Sequence, residues 1–214
     1  MQSKLMNARQ ADFGWINPDP NPAHEYLLPG VLSSLNELYG ERQVQILDLG
    51  CGNGYITARL AKLGHQVTGL DVARDGISIA QSQYPDLTFR QCSIYADEWP
   101  DISDESFDCV VSLEVVEHLI YPKKLFEKSY RLLRTGGHLV VSTPYHGYLK
   151  NLVLSLANGW DKHFGVDWEG GHIKFFSKET LRRMAAEAGF KHVNIEGVGR
   201  LPWLWKSMIM VAEK

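Results

Sequence analysis

The stretch Ile46-Leu47-Asp48-Leu49-Gly50-Cys51-Gly52-Asn53-Gly54 passes from a short, mostly apolar segment into three glycines within five residues. A segment of that length and character suits a buried strand, and the glycines permit backbone conformations that side chains resist. The next apolar run ends in Asp71, about twenty residues further on. Strand, glycine turn, helix, strand and acid, in that order, begin a parallel α/β sheet whose turn lets a ligand approach the backbone. Alone, a glycine-rich turn is only a tight strand-to-helix connection. The acid brings in a nucleotide-like ligand, because it stands where ribose hydroxyls are held.

The glycine spacing narrows the ligand. A dinucleotide turn reads G-x-G-x-x-G, its last glycine inside a helix that receives a pyrophosphate, and a phosphate-cradling loop carries a lysine. This chain has G-x-G-x-G, with Asp48 two residues ahead and no such lysine behind. An acid in front of the loop suits a positively charged ligand without phosphate. S-adenosylmethionine, with its ammonium and sulfonium groups, fits.

The flanking sequence alternates. Residues 1–22 are polar and close on Asn17-Pro18-Asp19-Pro20-Asn21-Pro22, an extended lead-in, since alternate prolines cannot continue a helix. Apolar spacing predicts a helix over 23–39, interrupted near Pro29-Gly30. Strands are expected at 44–49, 66–71, 87–92, 107–113, 138–142, 192–198 and 207–212, and helices at 55–63, 76–84, 122–133 and 177–188. Gly64 and Gly189 are helix-ending glycines, and Ser177 with Thr180 offers a cap. Five strands with helical crossovers imply an α/β, doubly wound, mostly parallel sheet, and the last two could form an antiparallel edge hairpin. The chain thus divides into a lead-in and helix, 1–40, on the substrate side, and an α/β domain, 41–214.

Residues 143–176 break the rhythm. They are long, irregular and rich in aromatics and histidine: Tyr145, His146, Tyr148, Trp160, His163, Phe164, Trp168, His172, Phe175 and Phe176. They follow the carboxyl end of a strand, the edge where open α/β sheets bind ligands, and so read as a lid-like insert over a small-molecule substrate. The other reading is a satellite core or a dimer contact, which leaves a homodimer open.

Composition fits one globular domain: 214 residues, 44% hydrophobic and 22% charged. A net charge of −3 without a basic run argues against a nucleic-acid partner, which needs its phosphates neutralised. Cys51, Cys92 and Cys109 are far apart and form no CxxC pair, so a disulfide framework is not expected and a cytoplasmic location is the default. No apolar run approaches the ~20 residues of a membrane span, and Met1-Gln2-Ser3-Lys4-Leu5-Met6-Asn7 does not read as a signal peptide.

On these motifs the sequence resembles the class I S-adenosylmethionine-dependent methyltransferases over roughly residues 40–214. The resemblance rests on Asp48, Gly50, Gly52 and Gly54, on Asp71, on Ser112-Leu113-Glu114-Val115-Val116-Glu117-His118, and on Leu132-Leu133-Arg134-Thr135-Gly136-Gly137. It implies a Rossmann-like, seven-stranded sheet with an antiparallel last strand. It also implies that Asp48 and the loop Gly50-Cys51-Gly52-Asn53-Gly54 hold the methionine part of the donor. Asp71, with Val72 beside it, would take the ribose diol, and Leu113 and Glu114 would lie next to the donor. Many relatives carry an Asp after the third strand for the adenine amine. This chain has Gln91-Cys92-Ser93-Ile94, so Ser93 next to Ile94, or a backbone group, would stand in.

The segment Glu114–His118 is similar to that of the ubiquinone-biosynthesis O-methyltransferases, which methylate catechol-like phenols. It also resembles the small-RNA 2′-O-methyltransferases, in which Glu-x-x-Glu-His and a distant His bind a divalent metal. His172-Ile173-Lys174-Phe175-Phe176-Ser177 has a comparable layout. Independently of either family, a helical turn would put Glu114, Glu117 and His118 on one face. Two carboxylates and an imidazole there repel unless a cation joins them, and His172 or His146 would complete its shell. Mg²⁺, Mn²⁺, Fe²⁺ and Zn²⁺ all suit such ligands. The alternative is that the acids complement a helix N-terminus and His118 packs.

The donor's sulfonium already activates the methyl group, so the protein must align an acceptor oxygen and remove its proton. A metal on Glu114, Glu117, His118 and His172 would lower a phenol's pKa; without one, His118, His146 and His172 are the candidate bases. Trp15, His24 and Tyr26 are expected in the pocket walls, and Trp203 and Trp205 in packing or an interface. The expected function is O-methylation of a small phenolic or catechol-like metabolite. The alternatives are a metal-dependent RNA 2′-O-methyltransferase and a non-catalytic S-adenosylmethionine-binding protein.

Overall fold

The computed structural model describes residues 13–99, 101–164 and 170–214. Seven strands, β1 (Gln45–Leu49), β2 (Gln66–Asp71), β3 (Thr88–Gln91), β4 (Phe107–Leu113), β5 (Leu133–Pro144), β6 (Lys191–Val198) and β7 (Ser207–Glu213), form one sheet in the order β3-β2-β1-β4-β5-β7-β6. The first five pair in parallel, and β7 runs antiparallel between β5 and β6. The expected antiparallel pair therefore forms, but its last strand lies inside the sheet and β6 takes the edge. Burial explains the order: most of β7 is buried, whereas β6 exposes alternate residues to solvent.

The helices are α1 (His24–Tyr39), α2 (Tyr55–Ala61), α3 (Arg74–Gln83), α4 (Lys123–Leu132), α5 (Tyr148–Leu156), α6 (Trp160–Phe164) and α7 (Lys178–Glu187). Side chains alternate across the sheet. Ile46, Val67, Cys109, Val111 and Val140 meet Leu27, Val31 and Leu35 of α1 and Ile56 and Leu60 of α2 on one face. Leu47, Leu70, Val110 and Val141 meet Leu125 and Phe126 of α4 and Leu181 and Ala185 of α7 on the other. This is the doubly wound arrangement. Ser177 caps α7, its hydroxyl accepting from the Thr180 N–H at 3.2 Å.

Two sequence expectations change. Helix α1 runs unbroken through Pro29, because a proline in the second turn forgoes only one backbone bond. Gly30 then lets the helix lie close to β7, since a Cβ there would meet Ile209 Cδ1 at 2.7 Å. Part of the segment 143–176 is regular: β5 extends to Pro144, and α5 and α6 follow. Tyr148, Leu149, Leu152, Val153 and Leu156 repeat at helical spacing, but they face solvent, so aromatic content masked the period. Trp168 lies outside the described residues.

No helix among the described residues is long and apolar enough to cross a membrane. All three cysteines are free. The chain moves outward through β2 and β3 and returns to β4 beside β1, so the order reverses between β1 and β4. A crevice outside the carboxyl ends of those strands is where such sheets bind ligands.

Candidate active site

The crevice holds a cleft of about 530 Å³, within the usual range for small-molecule sites. The turn after β1 forms its floor. Gly50 and Cys51 both donate their N–H groups to the Leu70 carbonyl, at 2.7 and 3.0 Å, which folds the loop against β2. Gly50, Gly52 and Gly54 all have positive φ. Gly52 is also where the indole of Trp15 lies, and a Cβ would meet its Cζ2 at 2.4 Å. Asp71 ties the loop to β2, its carboxylate accepting from Gly52 N–H and Ala73 N–H at 2.7 Å each. Burial raises the Asp71 pKa, and backbone N–H groups of Ala73, Gly52 and Val72 hold it back.

Asp48 is buried beneath the loop and accepts a 2.6 Å hydrogen bond from the Thr57 hydroxyl. Burial pushes its carboxyl up to about 7, against the pull of Thr57. The folded state thus keeps a proton that the unfolded chain releases near 3.8. This group therefore lowers the stability of the ligand-free protein as pH rises from about 4 to about 7. A cationic donor favours the ionised form, so its affinity should rise over the same window and level off above it. Asp48→Asn should remove that contribution from both profiles, as urea midpoints and calorimetric titrations between about pH 5 and 8 would read.

Cys51, Gly52, Val72, Ser93, Ile94, Leu113 and Glu114 line the cleft with Asp48, Gly50 and Asp71. Asn53 and Gly54 do not. Asn53 is fully buried and turns away, donating from Nδ2 to the carbonyls of Asn17 and Asp19 at 3.0 and 2.8 Å. The lead-in is also held further up, where Phe13, Gly14 and Trp15 N–H groups all converge on the Asp75 carboxylate at the start of α3. Phe13, Trp15, His24 and Tyr26 consequently form one wall of the cleft. Nothing in the sequence marked Phe13 or Asp75, because the contact joins segments sixty residues apart. Asp75→Ala should speed chymotryptic cleavage after Phe13 or Trp15 by at least about tenfold, since three charge-assisted bonds are lost together. An unchanged cleavage rate would mean that other contacts hold the strap.

The opposite wall begins at Glu114, which follows β4 with a φ of 54°, a strained value for a residue with a side chain. Its carboxylate accepts from Ser142 Oγ at 2.7 Å and from Ser207 Oγ at 3.2 Å. Burial raises its pKa to about 7, and the two serines oppose the rise. Val116–His118 is a single 3₁₀ turn, not the helix that would place Glu114 with Glu117 and His118. The structure instead gathers Glu117, His118 and His172, whose ligand atoms all lie within 4.8 Å of one another. Glu117 is fully buried and neither carboxylate oxygen has a well-formed hydrogen bond. Burial first, then the charge of Glu114, drives its pKa well above the usual carboxylate range.

His118 Nδ1 stands 3.2 Å from the Gly171 carbonyl, and its ring meets those of Phe13 and His172 edge to face. Burial lowers the pKa of His118 and takes that of His172 down to about 4, with His118, His146, His163 and Lys150 adding to the latter. His146 is also lowered to about 4, mainly by burial. It does not line the cleft but stacks on Phe164 and meets Phe175 edge to face behind the wall. Trp205 packs on Tyr145, and Trp203 is 64% exposed.

Known proteins match this chain in sequence and in fold. A family model described as a methyltransferase domain covers residues 23–195. The chain belongs to that family. It is an S-adenosylmethionine-dependent methyltransferase, distantly homologous to the ubiquinone-biosynthesis O-methyltransferases. The methyltransferase is 28% identical to "Ubiquinone biosynthesis O-methyltransferase" of Vibrio cholerae over 179 residues, which cover 81% of this chain and 70% of the relative. It is 32% identical to the mitochondrial enzyme of that name from Mus musculus, over 76% of this chain and 46% of the mouse protein. Its fold matches the crystal structure of an S-adenosylmethionine-dependent methyltransferase from Mesorhizobium loti, with a TM-score of 0.63 at 21% identity, over 87% of this chain and 96% of that one.

Proposed function

We propose that this methyltransferase transfers the donor's methyl group to an oxygen of a small phenolic or catechol-like metabolite. The observation that carries the reading is the group of buried Glu117 with half-buried His118 and His172, which opens through the two histidines onto the cleft that the donor loop lines. The homology to enzymes named as ubiquinone-biosynthesis O-methyltransferases supports an oxygen acceptor.

The donor set fits a divalent metal. Glu117 brings two buried oxygens without well-formed hydrogen bonds, and the lowered pKa values of His118 and His172 leave neutral imidazoles able to donate lone pairs. Mg²⁺, Mn²⁺, Fe²⁺ or Zn²⁺ would be held by Glu117, His118 and His172, with Glu114 next to them. Such a metal supplies Lewis acidity, which lowers the pKa of a phenolic hydroxyl. The histidines alone are weaker candidates as bases, because an imidazole pushed down to about 4 holds a phenol's proton poorly.

The chain's own residues do the remaining work. Asp48 and the loop residues Gly50, Cys51 and Gly52 hold the methionine end, Asp71 and Val72 the ribose, and Ser93 and Ile94 the adenine. Leu113 and Glu114 border the reacting methyl, and Phe13 and Trp15 exclude water. Alignment of acceptor and methyl is itself worth several kcal/mol. The three free cysteines are consistent with a reducing cytoplasm.

A transfer assay with labelled S-adenosylmethionine tests the reading on catechol, aniline and a short RNA, with and without EDTA. Catechol should be methylated on oxygen, and EDTA should suppress it. Preferential labelling of aniline or of RNA would overturn the assignment.

A further inference from the structure

Three cations from separate segments face the cleft: Lys150 of α5, Arg200 after β6 and Lys206 just before β7. None is in an ion pair among the described residues. Lys150 is 7% exposed, and its ammonium donates to the Lys206 carbonyl at 3.2 Å, a neutral partner. The Lys206 ammonium lies 4.7 Å over the Tyr26 ring, which steers it along the cleft wall. The acid that acts on Lys150 is Glu114, and both of its oxygens are already engaged by serines. Burial and the charge of Arg200 together push the Lys150 amine down to about 8, the mark of like charges held close in a poorly solvated place. Burial first, and then the charges of Lys150 and Arg200, lower the pKa of His163 and so disfavour a further positive charge there.

The cleft is therefore polarised. Asp48 and Asp71 stand at the loop end, matched to a cationic donor, while Lys150, Arg200 and Lys206 stand at the other. Glu114 offsets only part of the positive charge gathered around the buried Lys150, and a bound anion would offset more of it. We infer that Lys150, Arg200 and Lys206 form a subsite for an anionic group, a carboxylate or a phosphate, carried by the methyl acceptor. The inference rests on the acceptor reading above and narrows it from a phenol to a phenol bearing a negative charge. Nothing in the spacing of these residues along the chain points to it.

The test is calorimetry on the protein saturated with S-adenosylhomocysteine, with benzoate, phenyl phosphate and benzyl alcohol as probes of carboxylate, phosphate and neutral head groups. At least one anion should bind about tenfold or more tighter than benzyl alcohol, and Arg200→Ala and Lys150→Met should each erase most of that advantage. The stronger of the two anions identifies the source. Equal binding of benzyl alcohol, or an advantage that survives both substitutions, overturns the subsite. Loss of S-adenosylhomocysteine affinity in the variants, without loss of the anion preference, would assign the cations to the donor's carboxylate and overturn it as well. Failure of S-adenosylhomocysteine to bind the unmodified protein would instead remove the donor site and the subsite together. Melting temperatures of both variants separate these outcomes from misfolding, and Lys206→Ala, on an exposed residue, gives a third variant should Lys150→Met fail to fold.

Discussion

Asp71→Ala is expected to weaken binding of S-adenosylmethionine by about 100-fold or more. Two ribose hydroxyls donating to one carboxylate form charge-assisted bonds, each worth roughly 1.5–3 kcal/mol when the acceptor is removed. The same carboxylate accepts the Gly52 N–H, so its loss also frees the loop that carries the methionine end. Asp71→Asn separates the two effects. It keeps the size and one acceptor oxygen but sets an NH₂ against a backbone N–H, so affinity should fall while the melting temperature changes less than in the alanine variant. Calorimetric titration reads both variants, and an affinity unchanged in Asp71→Ala would exclude the ribose role.

Glu117 gives the second large effect, and with opposite signs in two states. A fully buried acid whose oxygens lack well-formed hydrogen bonds destabilises a metal-free fold. Glu117→Gln should therefore leave the EDTA-treated protein as stable as the parent or more so. With divalent metal present the order should reverse, because the variant forfeits a charged ligand and loses metal affinity by about 100-fold. Turnover should follow the metal, dropping by at least about 100-fold on chelation and returning when metal is restored. Thermal melts across a metal titration show the crossover. A variant less stable than the parent in EDTA, together with turnover indifferent to chelation, would contradict the metal reading.

The sequence carried the parts of this molecule that depend on local patterns. Apolar runs marked the strands, the central ones because both of their faces are buried, and glycine spacing with Asp48 and Asp71 located the cleft floor. What depends on tertiary contact was not legible. The exchange of β6 and β7 at the edge follows from which strand buries more surface, a property of the assembled sheet. The strap from Phe13 to Trp15 is held by Asp75, and Asn53, read as part of the loop's ligand face, anchors that same strap. The spacing of Glu114, Glu117 and His118 suggested one helical face, but the left-handed turn at Glu114 sends its carboxylate to two serines. Exposed helices α5 and α6 defeated a period argument that assumes the apolar side is inside.

The most direct measurement of the central claim is a crystal structure with S-adenosylhomocysteine and catechol. The ribose diol should lie on Asp71, the homocysteine end along Gly50, Cys51 and Gly52, and the catechol oxygen between the thioether sulfur and the Glu117–His118–His172 group. Density for the nucleoside away from Asp71, or for catechol outside the cleft while the donor occupies it, would contradict the account.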